Sequence, residues 1–189
     1  MRRGKRAEAA GAAPSPDEGD PLRRAYVAAL ARLARRDHTT LELRRALARA
    51  GHDEDAVDHA LRRLKTERYV DDDAFAARYA RSRMQHQALG RHRVRHELRR
   101  KGVTRTQAET GLQQALSEVS ETDTVDALAR RWWRQHPTRG TDEAPGRRLR
   151  RLWAFLIRRG FPADLVHARL RLLWPRWSDA LEGLEAPEE

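Results

Sequence analysis

Apolar positions along the chain recur at offsets of three and four, the spacing that places side chains on one face of an α-helix. Leu22, Tyr26, Ala29, Leu30 and Leu33 form the first stripe, Leu43 and Leu47 the second, and Val57, Leu61 and Leu64 the third. Pro21 suits a first helical turn, and Asp37-His38-Thr39-Thr40 and Asp53 offer side-chain acceptors for the next two helix starts. Gly51 closes the middle helix, because glycine adopts the left-handed conformation of a helix end without a Cβ penalty.

The same register returns twice. Four and eight residues before Gly102 stand Leu98 and Val94, and before Gly160 stand Leu156 and Leu152, just as Leu47 and Leu43 precede Gly51. Six, ten and thirteen residues beyond Gly102 come Ala108, Leu112 and Ala115, and beyond Gly160 come Val166, Leu170 and Leu173. The intervals between the glycines are 51 and 58 residues, and a longer loop at 137–146 accounts for the difference. The pattern predicts an all-α fold of three tandem three-helix units at 21–68, 69–120 and 121–177, elongated because each unit buries its stripes against neighbours.

The second unit opens with Tyr69-Val70 and the carboxylates Asp71, Asp72 and Asp73, which suit the positive end of a helix, then carries Phe75, Ala76, Tyr79, Ala80 and Met84. Its last helix starts near Thr104 and extends its stripe toward Leu116 and Val119. In the third unit Val125, Leu128 and Trp132 precede the loop. Leu149, Leu152, Trp153 and Leu156 follow it, and Pro162 starts a helix that ends before Pro175. Residues 1–20 lack periodicity and contain Gly11, Pro14, Pro16 and Gly19, so a disordered extension is expected there. Residues 178–189 are expected to form a mobile acidic tail.

Composition adds the charge. The 189 residues carry 39 Lys and Arg against 28 Asp and Glu, a net +11, with 35% charged residues and a mean hydropathy of −0.88. Little apolar material is left for one large core, and the basic surface points to a polyanionic partner such as nucleic acid. A coding preference for arginine produces the same excess with no partner at all. Cysteine is absent, which excludes disulfides and thiolate chemistry. No apolar run approaches the roughly 20 residues of a membrane span. The basic Met1–Arg6 stretch leads into alanine, proline and acid instead of a signal core, so a cytoplasmic protein without a membrane partner is expected.

Candidate chemistry is sparse. His92 and His96 have the spacing of a helical metal pair, yet they stand among arginines that repel a cation. Asp71–Asp73 invite magnesium only until helix capping is considered. No phosphate loop, nucleophile elbow or dinucleotide fingerprint occurs, so no enzyme, catalytic residue, metal or cofactor is expected. Trp132 and Trp153 fall on buried stripes, whereas Trp133 and Trp177 lie off them and are candidates for a partner contact. Arg91, Arg95 and Arg99 share one helical face, with Arg93, Arg100 and Lys101 beside them and only Glu97 as a local acid. Like charges four apart weaken a helix, so phosphate is the natural beneficiary.

Taken in order, several pieces are similar to the RecX family of bacterial recombinase regulators. They are His38-Thr39-Thr40-Leu41-Glu42-Leu43-Arg44; Tyr69-Val70-Asp71-Asp72 with Phe75-Ala76 and Tyr79; Gly90 with Arg93-Val94 and Glu97-Leu98; Lys101-Gly102-Val103; and Arg158-Arg159-Gly160-Phe161. The resemblance spans about residues 22 to 175. It implies a curved array of three-helix units that lies in the groove of a RecA filament on single-stranded DNA; a monomer is expected. It further implies modulation, usually inhibition, of RecA strand exchange, ATP hydrolysis and co-protease activity, and so a part in DNA repair, recombination and the SOS response. On that reading the basic helices Arg91–Lys101 meet the filament or its DNA, and Tyr69, Asp71, Asp72, Gly51, Gly102 and Gly160 support the fold. A helix-turn-helix-like or nonspecific DNA-binding protein and a helical protein-interaction scaffold remain the alternatives. The N-terminal extension, the longer loop and the acidic tail depart from the family pattern.

Overall fold

The computed structural model describes residues 19–137 and 145–184, and all regular elements among them are helical. The 1–20 extension, the 137–146 loop and the end of the acidic tail fall largely outside these residues, as does the side chain of Trp177. The chain divides into two compact units, to either side of the Val70–Asp71 bond.

In the first unit α1 (Pro21–Leu33), α2 (Thr40–Arg49) and α3 (Glu54–Thr66) surround Leu43, Leu47, Val57, Leu61 and Leu64. Thr39 starts α2 through a reciprocal cap: Glu42 N donates to Thr39 Oγ1 at 3.1 Å, and Thr39 N donates to Glu42 Oε2 at 3.3 Å. Asp53 occupies the equivalent position before α3 without a side-chain hydrogen bond. Two expectations change. Leu22 is 36% exposed; α1 buries Ala29 as expected, and beside it Ala25, a small residue that a hydropathy pattern underweights. Val70 joins this first core, whereas Tyr69, expected as a structural support, is 58% exposed; its backbone N–H donates to Leu64 O at 2.9 Å.

The second unit holds α4 (Asp72–Gln87), α5 (Arg91–Arg100), α6 (Arg105–Glu118), α7 (Glu121–Gln135), α8 (Pro145–Arg158) and α9 (Ala163–Leu173), followed by a 3₁₀ turn at Pro175–Leu181. Phe75, Ala76, Ala80 and Met84 of α4 meet Val94, Leu98, Ala108, Leu112 and Ala115 in one core. Asp71 Oδ1 accepts from Ala74 N at 2.9 Å, and Thr104 forms a second reciprocal cap with Gln107. Gly111 permits the close crossing of α4 and α6, since a Cβ there sits 2.8 Å from Ala76 C.

A separate core gathers Val125, Ala129, Trp132, Leu149, Leu152, Trp153, Leu156, Phe161, Val166 and Leu170, with Leu173 packed at its edge. Trp133 is not free for a partner as its register suggested. Its ring lies 4.5 Å from that of Trp174, and the Arg148 guanidinium sits 3.8 Å from its centroid. Leu181 is also buried here, so the acidic tail begins later than its composition indicates; one apolar side chain anchors the turn.

The three register glycines have φ of +82°, +84° and +86°. After each, the next amide returns to the second leucine of the stripe: His52 N to Leu47 O, Val103 N to Leu98 O and Phe161 N to Leu156 O, at 3.3, 3.2 and 3.4 Å. The leucine that faces the core thus also terminates its helix.

Candidate functional site

The sequence Arg91–Arg100 is helical because Val94 and Leu98, both fully buried, pin one stripe to the α4–α6 layer. Its N-terminus has no side-chain cap, since Gly90 stands at that position. The orphan amides of the first turn are satisfied from distant chain instead. Gly90 N donates to Arg159 O at 2.9 Å, Arg91 N to Glu121 Oε1 at 2.7 Å and His92 N to Gly160 O at 3.0 Å. The approach is close: a Cβ on Gly90 meets Gly160 C at 2.3 Å.

The arginine row is then divided by its partners. Arg91 directs its guanidinium to Glu121, a residue 5% exposed, at 2.5 Å. Arg95 grips Glu109 of α6 with both arms of its fork, at 2.6 and 3.0 Å. Arg93 Nε donates to Glu97 at 3.0 Å, and Glu97 also accepts from Tyr79 Oη at 2.9 Å. Lys101 Nζ lies 5.3 Å from the Tyr79 ring centroid. Arg99 and Arg100 are exposed, and no described carboxylate pairs with either. The expectation that the row lacks acids apart from Glu97 is therefore corrected. Glu109 and Glu121 lie 14 and 30 residues from their arginines, beyond any offset within one helix.

Arg95, Arg99, His92, Val103, Arg105 and Glu109 line an open cavity of 680 Å³ beside α5. The arrangement offers cationic hydrogen-bond donors to an anion. Among the described residues no group of three or more His, Asp or Glu side chains converges as a metal site. No helix among them is long and apolar enough to cross a membrane.

These ion pairs make the unit acid-sensitive. Hydrogen bonds from Arg95 hold Glu109 below the ordinary carboxylate range, and those from Arg169 do the same for Asp126. Burial pushes Glu97 up, but hydrogen bonds from Tyr79 and Arg93, with the nearby charges of Arg83 and Arg93, outweigh it and leave it lowered. A lowered folded pKa means that the unfolded chain takes protons first as pH falls. Stability present at neutral pH is then lost from about pH 5 downward. Urea unfolding measured across that range should show midpoints falling with pH, with a shallower fall in a Glu109→Gln, Asp126→Asn variant. Equal slopes in parent and variant are the contrary result.

Comparison with known proteins agrees with this architecture. Family models described as the first and second three-helix domains of RecX match residues 25–64 and 71–112. A protein of Halorhodospira halophila named "Regulatory protein RecX" is 39% identical over 142 residues, covering 75% of this chain and 83% of that one. The chain belongs to the RecX family. The RecX relative from Geobacillus kaustophilus is 35% identical over 151 residues, covering 80% of this chain, and the match spans only 54% of that relative's length. The crystal structure of RecX from Lactobacillus salivarius superposes with a TM-score of 0.72 over 82% of this chain and 97% of that one. At 20% identity that likeness speaks to the fold. The matched RecX models cover α1–α6, and Gly160 after α8 has the same positive φ as Gly51 and Gly102.

Proposed function

We propose that this RecX-family chain binds the RecA nucleoprotein filament and inhibits its strand exchange, ATP hydrolysis and co-protease activity, without catalysis of its own. Three-helix repeats are its units, and it acts as a cytoplasmic monomer. The regulatory role rests on the family. The contact site rests on one observation: Arg99 and Arg100 are exposed at the end of a helix whose other end is locked by Glu121 and Gly160. A rigid helix presents charge with little entropy to lose on binding, which favours its use as a recognition element. Arg91, Arg93 and Arg95 position that helix through their acids, and Lys101 extends the basic end.

Arg99→Glu with Arg100→Glu tests this. Both side chains are solvent-exposed and Val94 and Leu98 still hold the helix, so helical content should be kept. Some loss of dipole stabilisation is expected, about 0.3–1 kcal/mol per position. Inhibition of RecA's DNA-dependent ATP hydrolysis should require about tenfold more of the variant, with the difference shrinking as salt rises. Undiminished inhibition by a folded variant moves the contact elsewhere, and a parent that leaves the filament unaffected removes the functional reading itself.

A further inference from the structure

Helices α2, α3, α5 and α8 end on one hydrogen-bond pattern. The residue after the cap turns left-handed and its amide reaches back three positions: Gly51 N to Ala48 O, Arg68 N to Lys65 O, Gly102 N to Arg99 O and Gly160 N to Ile157 O, at 3.0, 3.0, 2.9 and 2.8 Å. Three of the four are glycine. Arg68 holds φ +59° with a Cβ, a conformation that strains an L residue.

Among the described residues only Ala88 shares this departure, at φ +50°. The fold accounts for Ala88, because Arg159 reaches over from the end of α8 and its Nη1 donates to Gln87 O at 2.8 Å and Ala88 O at 3.3 Å. Arg68 has no such account. Its side chain is exposed, and no hydrogen bond, ion pair or ring contact engages it among the described residues. Its neighbour Glu67 is committed elsewhere: Tyr26 Oη donates to that carboxylate, Arg63 Nε donates to it at 2.8 Å, and the Arg63 guanidinium lies 4.0 Å from the Tyr26 ring centroid. These contacts fix the end of α3 against α1. On the other side stands Tyr69, with its amide held by Leu64 O and 58% of its surface exposed.

We infer that Arg68 and Tyr69 form a protein-docking corner on the first unit, where the Arg68 guanidinium is kept in a strained position to meet a carboxylate of the partner and the Tyr69 ring packs beside it. Arginine and tyrosine are the residue types that most often dominate protein interfaces, and the guanidinium fork matches a carboxylate. The local charge selects the class of partner. Residues 62–73 carry four Lys and Arg and four Asp and Glu, so this stretch has no net charge. A phosphate strand gains from a uniformly basic track, whereas a mixed stretch is complemented by the mixed surface of a folded protein. The inference rests on the regulatory reading for the partner's identity, a protomer of the RecA filament, and uses neither α5 nor its cavity.

The test is binding of the full chain to RecA filament assembled on single-stranded DNA with a non-hydrolysable ATP analogue, beside binding to the bare strand. Arg68→Gly relieves the left-handed strain, so the thermal midpoint of the first unit should rise by about 4 °C. Affinity for the filament should nevertheless fall about tenfold, while affinity for the bare strand keeps the parent value. Tyr69→Ala leaves the backbone amide in place and should weaken filament binding as well. A more stable Arg68→Gly variant with parent-like filament affinity overturns the proposal. So does an equal loss on filament and bare strand, which marks a phosphate contact, and so does a lowered midpoint, which makes Arg68 a structural residue. A parent that does not bind the filament removes the regulatory reading, and this proposal with it.

Discussion

Gly90→Ala should lower the stability of the 71–184 unit by about 3–5 kcal/mol, the range of a severe packing defect with lost buried hydrogen bonds. The new Cβ meets Gly160 C and O at 2.3 Å and Phe161 N at 2.4 Å, all backbone atoms that no rotamer change can move aside. Gly90 has an ordinary φ of −79°, so the effect is steric and not conformational. Relief requires the α5 start and the α8–α9 corner to separate, which breaks the Gly90 N to Arg159 O and His92 N to Gly160 O bonds. Gly51→Ala is the control. At φ +82° with nothing within 4 Å of a Cβ, it carries only the left-handed strain of about 1–2 kcal/mol. Denaturant unfolding of the two variants separates contact from conformation, and a Gly90→Ala protein as stable as the control refutes the close joint.

Glu121→Ala should cost about 2–3 kcal/mol, because one buried carboxylate serves two donors, a helix-start amide and a partly exposed guanidinium. Its loss strands the Arg91 amide at an otherwise uncapped helix start and leaves the Arg91 guanidinium without its anion. Glu121→Gln keeps an acceptor for the amide and should cost roughly half as much. Amide exchange at Arg91 and His92 should accelerate in the alanine variant while Leu98 stays protected by the core. Combining it with Arg91→Ala should give less than the sum, since both remove the same pair. Full additivity, or unchanged exchange at the start of α5, means that the helix is capped some other way.

How far the sequence could be read depended on distance along the chain. The Thr39 and Thr104 caps, the Asp71 cap and the three glycine stops are local, and their residues stand within five positions of the groups they satisfy. Every glycine-register residue predicted for the core is buried or packed at its edge for the same reason. The α5 site was legible as a basic helix but not as a divided one. Arg91 and Arg95 looked equivalent to Arg99 until α6 and α7 brought Glu109 and Glu121 to them. Trp133 looked unassigned because its partner, Trp174, lies 41 positions away.

By itself the sequence determined the helices, their ends, the faces they bury and the family, because helix periodicity, capping and the left-handed glycine stop act over one or two turns. The tertiary structure alone decided which arginines of α5 meet a carboxylate and how α5 is capped without a capping residue. Coulombic pairing and steric contact depend on separation in space, and no periodicity within one helix records which distant segment will supply the carboxylate or the backbone carbonyl.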